Sequence, residues 1–171
     1  PAGIYSGTIT VTVNGQTVKT IPLNLEVMNF TLSDDNHFKT MIYYSDYCIG
    51  PRYNLSGSNL WPMLLNFNKM AHRHRLDLIG AGTWDEINNM GGVLSGSAYT
   101  TAQNYEGPGE GVGNSVFSIC TYGVSWTDTE AAYRTESDAW ENWFTANVPN
   151  VDRFLYLIDE PGSDQYSWIQ T

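Results

Sequence analysis

The chain has 171 residues, 42% of them hydrophobic and 13% aromatic, which is enough for one ordinary domain with a sizeable core. Eighteen Asp and Glu against eight Lys and Arg leave a formal net charge of −10, a balance that repels phosphate backbones and anionic lipid surfaces and argues against nucleic-acid or membrane partners. No apolar run approaches the roughly 20 residues that span a bilayer, and the abundance of Tyr, Trp, Asn, Gly, Ser and Thr with little Lys points to an extracellular, cell-surface or periplasmic protein that handles carbohydrate.

From Pro1 to Met28, Ile9, Val11 and Val13 alternate with Thr8, Thr10 and Thr12 before Asn14-Gly15, and alternation resumes through Leu23, Leu25 and Val27. That is a β-hairpin. A lone hairpin is marginal in water, so the segment reads as the closing strands of a β-sandwich whose earlier strands precede Pro1. Residues 29–37, "NFTLSDDNH", read as a linker; the acids of Ser33–His37 lack the twelve-residue calcium loop, so no metal is expected.

After the linker the period changes. "FKTMIYYS" (Phe38–Ser45) predicts a strand, and "LWPMLLNFNKMAHRHR" (Leu60–Arg75) predicts a helix with Leu60, Leu64, Phe67, Met70 and Ala71 on one side. Pro62 is tolerated in its first turn, and His72 and His74 in its last turn read as structural, charged imidazoles there favouring the helix dipole. "LDLIGAG" from Leu76 is a short buried strand with no room for a hairpin, hence parallel to the first. Thr83 to Asn114, rich in glycine, reads as a long ordered loop. "SVFSICTYG" is a third strand, and Thr127 opens a helix to Val148, capped with Glu130 and burying Ala131, Ala132, Ala139, Trp140, Trp143 and Phe144. "VDRFLYLIDEP" is a fourth strand that delivers Asp159 and Glu160 into a Pro-Gly turn.

Repeated βα units imply either a doubly wound sheet or a (β/α)8 barrel. No Gly-x-Gly-x-x-Gly follows a strand, and "GPGEGVG" is acidic and sits in a loop, so the nucleotide-binding version is disfavoured and no cofactor is expected. Cys48 and Cys120 lack metal spacing and are either a disulfide or two buried thiols. In a barrel, active groups come from the C-terminal ends of strands, which is where Asp159 and Glu160 stand.

Taken in order, "PAGIYSGTITVT…IPLNLEVMNFTL", "MAHRHRLDLIGAG", "YEGPGEGVG…FSICTYG" and "FLYLIDEPGSDQYSWI" resemble the glycoside hydrolase family 123-like catalytic proteins. The resemblance implies an α/β fold: domain 1–28 would end a β-sandwich, and 38–171 would be the first half of a (β/α)8 barrel within a longer chain. It implies retaining hydrolysis of 2-acetamido sugars, with an N-acetylgalactosaminide the expected substrate. The substrate's own amide oxygen is then the nucleophile, an exception to the two-carboxylate scheme. Asp159 would hold the acetamido N–H and Glu160 would protonate the leaving oxygen, a role that requires an acid still protonated near neutrality, as partial burial favours.

Trp84, Tyr105, Tyr122, Trp126 and Trp168 all follow strand ends, where aromatic faces could stack on a sugar ring. The implied partners are a glycan and the remainder of the same chain. The competing reading is a non-enzymatic carbohydrate-binding or cell-surface structural protein on the same scaffold.

Overall fold

The computed structural model describes residues 1–34, 37–124 and 129–169, and the chain divides into two compact units, Pro1–Ser33 and Asp34–Thr171. The first is the expected hairpin: β1 (Gly3–Val13) pairs antiparallel with β2 (Gln16–Val27). Asn14 and Gly15 turn the chain with φ of 50° and 78°, the left-handed pair that a tight hairpin requires. The register puts Ile9 opposite Ile21, Gly7 opposite Leu23 and Tyr5 opposite Leu25, with an irregularity between Val11 and Thr12. One face is therefore apolar, while Ser6, Thr8, Thr10, Thr20 and Asn24 occupy the other.

The second unit is mixed α/β. In order it comprises β3 (Ile42–Tyr43), α1 (Asp46–Tyr53), α2 (Trp61–Arg73), β4 (Leu78–Ile79), α3 (Trp84–Ser95), β5 (Val116–Ile119), α4 (Glu130–Asn147), β6 (Asp152–Leu155) and α5 (Tyr166–Ile169), with short 3-10 turns between. β3 pairs parallel with β4, and β5 pairs parallel with β6. The two pairs are tied at both ends. The Asp77 carboxylate accepts from Ser115 N and Oγ at 2.8 and 2.7 Å, pinning the starts of β4 and β5. Beyond their ends, Cys120 N donates to Gly82 O and Thr121 N to Ala81 O, both at 3.0 Å. Lys39, just before β3, forms an ion pair with Asp152 at the start of β6.

Phe117 and Ile119 of β5 pack with Trp140, Phe144, Val148, Ile87 and Leu94 in one cluster. A second joins Leu64, Met90, Val93, Ala98, Tyr99 and Tyr105. The helices thus cover one face of the strands.

Several expectations need correction. Thr83–Asn114 is not all loop: its first third is α3, capped by Thr83, whose Oγ1 accepts from Glu86 N at 3.2 Å, while Glu86 Oε2 accepts from Gly82 N, just before the cap, at 2.6 Å. Eight residues read as connection form α1, capped by Ser45 and containing Pro51. The cap of α4 is Thr129, whose Oγ1 accepts from Ala132 N; Thr127 lies outside the described residues. Ala131 and Ala139 are exposed, and Trp140, Phe144 and Val148 carry the buried stripe. Met70 is exposed, and Asn68 and His72 take buried positions on α2 instead. Cys48 and Cys120 are both thiols, Cys48 exposed, so the disulfide alternative falls.

His72 is structural, but not as a dipole partner. Its ring stacks on Tyr99 at 3.8 Å and its Nε2 lies 3.1 Å from Gly109 O. Burial pushes its pKa down.

Candidate functional site

The β5–β6 pairing is prolonged by Tyr156 N donating to Ile119 O at 2.9 Å; beyond it the chain turns back, and Val124 N donates to Leu157 O at 3.3 Å beside an isolated antiparallel bridge between Gly123 and Ile158. This holds the segment after β6 against the segment after β5 and brings Asp159 and Glu160 to the C-terminal end of the parallel pair. Arg153 lies over Phe144 of α4 at 5.3 Å. By alternation along the strand, Phe154 and Tyr156 face away from that helix.

On this opposite face three tyrosines gather. Tyr43 at the end of β3 meets Tyr122 edge-on at 4.6 Å, and Tyr122 meets Tyr156 at 5.6 Å with ring planes 47° apart. Tyr156 donates its hydroxyl to Asp159 Oδ1 at 2.7 Å. That hydrogen bond is the main cause that pushes the Tyr156 phenol pKa up, with the Asp159 and Glu160 charges acting in the same direction.

The backbone here is unusual. Cys120, Tyr122 and Glu160 have φ of 55°, 70° and 44°, the left-handed region that costs an L-residue roughly 1–2 kcal/mol. Glu160 also precedes Pro161, which already disfavours helical backbone at that position. Among the described residues, the other non-glycine ones with positive φ are three asparagines and Arg75, which follows α2. Asparagine tolerates the conformation; Cys, Tyr and Glu do so at a cost, and such residues concentrate where structure serves a site.

Of the expected site residues, Asp159, Glu160 and Tyr122 come together. Both carboxylates are exposed, so the partial burial anticipated for the acid is not met. Trp84 is the first residue of α3, its ring stacked on Trp140 at 3.8 Å and 9°, with its Nε1 donating to Glu136 Oε2 at 3.4 Å. One of its faces is therefore taken by the core. Tyr105 is only 1% exposed and donates to Pro108 O at 2.6 Å. It packs with His72 and Tyr99, which leaves no face for a sugar. Trp126 lies outside the described residues. Trp168 falls within α5, after the carboxylates in the chain.

Sequence reading missed Tyr43 and Tyr156, and also Glu86. The Glu86 carboxyl is buried against Gly80, where a Cβ would sit 2.1 Å from its Oε1. Burial pushes its pKa up, and Tyr44 nearby is raised by the same cause. Two small cavities flank it. One is lined by Asn68, Ile79, Gly80 and Met90 among others, the other by Tyr44, Asp46, Trp61 and Thr83. Tyr44, Asn68 and the α2 and α3 side chains belong to the helix-covered face, so these cavities are separate from the tyrosine cluster. The Thr83-x-x-Glu86 spacing was the signal that could have placed Glu86 in a cap.

Among the described residues, no group of three or more His, Cys, Asp and Glu is arranged to hold a metal ion, and no helix is long and apolar enough to cross a membrane. No known protein family matches the chain, and no curated protein is recognisably similar to it.

Proposed function

We propose that this chain carries the catalytic carboxylate pair of a retaining glycoside hydrolase acting on 2-acetamido sugars, as its resemblance to the family 123-like catalytic proteins implies. The observation that carries the reading is the placement of Asp159 and Glu160 at the C-terminal end of a parallel strand pair, beside exposed tyrosine rings and left-handed backbone. The two parallel pairs, the helices packed on them and the ion pair between Lys39 before β3 and Asp152 of β6 fit the first half of a (β/α)8 barrel. In that arrangement the exposed Tyr43 and Phe154 would line the barrel interior. The apolar face of the β1–β2 hairpin fits the closing strands of a sandwich.

The chemistry follows from adjacency. The acetamido oxygen attacks C1, the bond from C1 to the leaving oxygen breaks, and Glu160 gives its proton to that oxygen. An oxazolinium ion remains, in which positive charge has built on the amide nitrogen; Asp159 accepts the N–H and stabilises it. Water then adds to C1 from the vacated side while Glu160 takes back a proton and the ring opens. Two inversions give retention. One residue serves C2 and its neighbour the glycosidic oxygen, and tyrosine faces offer apolar surface to the sugar ring.

The test is a pair of substitutions in the intact protein. Glu160→Gln slows glycosides with poor leaving groups far more than activated aryl glycosides, because only the former need the proton. Asp159→Asn slows both. Equal losses on both substrate types for Glu160→Gln refute the acid role.

One observation favours a second reading. Both carboxylates are exposed, as in a surface that binds carbohydrate without cleaving it. Such a protein shows binding that survives both amide substitutions and has no turnover to lose.

A further inference from the structure

Tyr156 holds Asp159, the first of the two carboxylates, by its hydroxyl. An exposed aspartate on a turn samples several rotamers, each of which points its carboxylate in a different direction. Asp159 is exposed, yet its Oδ1 receives the Tyr156 hydroxyl at 2.7 Å. The donor is itself held: the Tyr156 ring leans on Tyr122, and Tyr122 is met edge-on by Tyr43. These rings come from the ends of three different strands, β3, β5 and β6, so the position of Asp159 Oδ1 is referred back to the strand set rather than to its own turn.

Resting on the glycosidase reading above, we propose that Tyr156 is a positioning residue: by occupying Oδ1 it leaves Oδ2 of Asp159 as the oxygen that receives the substrate's acetamido N–H. A neutral phenol suits this task. It keeps Asp159 an acceptor and presents no charge that would compete for the amide. The N–H contact strengthens as positive charge builds on nitrogen during ring closure, so a misdirected carboxylate costs more in the transition state than in substrate binding. A misplacement of about 1 Å in such a contact can cost on the order of 100-fold.

Tyr156→Phe keeps the ring and its contacts and removes only the donor. In the intact protein it should lower kcat on 2-acetamido glycosides by roughly 10- to 100-fold with little change in KM. It should weaken, by a similar factor, a thiazoline analogue in which the acetamido group is already closed onto C1. A spectrophotometric tyrosine titration supplies a readout independent of turnover: Asp159→Asn should bring one high-titrating phenol back toward the others.

Three results separate the possibilities. If the native protein neither cleaves acetamido glycosides nor binds the thiazoline, the glycosidase reading fails and the positioning role goes with it. If the native protein does both and Tyr156→Phe matches it, the positioning role alone is overturned. A phenol titration unchanged by Asp159→Asn removes the contact on which the role depends.

Discussion

Replacing Glu160 with alanine and with glycine tests whether the site's backbone is strained. At an ordinary exposed position glycine is the worse residue by roughly 0.5–1 kcal/mol, because the unfolded chain gains freedom. Glu160 has φ of 44°, where a Cβ costs roughly 1–2 kcal/mol. The two effects oppose each other, and the difference leaves Glu160→Gly more stable than Glu160→Ala by about 0.5–1 kcal/mol. Glu160 is exposed, so neither substitution removes buried packing and the comparison isolates the backbone. Denaturant unfolding of the intact protein measures the difference at constant m, and the same gap amounts to roughly 1–4 °C in Tm for a domain of this size. Glu160→Gly should lose turnover while gaining stability, which marks a residue retained for chemistry. If alanine proves the more stable by the usual margin, Glu160 is not left-handed and the strain at the strand ends is not a feature of the site.

Glu86 should make stability pH-dependent. Its folded pKa is raised by burial above the reference 4.5, so the folded state holds the proton more tightly; that contribution is complete below 4.5 and is lost as pH rises through the folded value. Glu86→Gln, which can still accept from Gly82 N, should flatten this fall in urea titrations run across pH. His72 acts with the opposite sign: its folded pKa lies below 6.5, so its contribution is complete above 6.5 and is lost as pH falls from there through the folded value. Gly82→Ala should destabilise by about 2–5 kcal/mol, since φ is 68° and a Cβ would stand 2.1 Å from Ser118 O; thermal unfolding checks it. Phe144→Ala, at a position with no exposure, should cost about 3–5 kcal/mol by the same measurement.

The hairpin was legible because strict alternation and Asn14-Gly15 speak in one voice. The parallel pairing was legible because the connections between strands are too long for hairpins. α1 and the start of α3 were not. Pro51 reads as a breaker, yet it falls late in an eight-residue helix where it removes a single backbone donor. Glycines at 91 and 92 weaken the helical pattern that follows the Thr83 cap. The helix forms because Ile87, Met90, Val93 and Leu94 of α3 are buried in the two packed clusters, which outweighs the poor propensity of its glycines.

The candidate site was half legible. Asp159, Glu160 and Tyr122 could be named from an apolar run ending in acids and from position after a strand. Tyr105 and Trp84 follow strands too, but the chain folds both back into its packed clusters. Tyr156 sits inside the apolar run "FLYLI" and reads as core. Only the pleat, which turns it away from α4 and toward Asp159, shows otherwise.

The reading turns on whether the acetamido group is the nucleophile. The direct measurement is turnover of matched trans glycosides, one bearing a 2-acetamido group and one a 2-hydroxyl, with the first-formed anomer followed by NMR. The account predicts cleavage of the acetamido substrate with retained configuration and loss of nearly all activity on the hydroxyl analogue. Undiminished activity on the 2-hydroxyl sugar contradicts it, because that outcome requires a carboxylate nucleophile in place of the substrate's own amide.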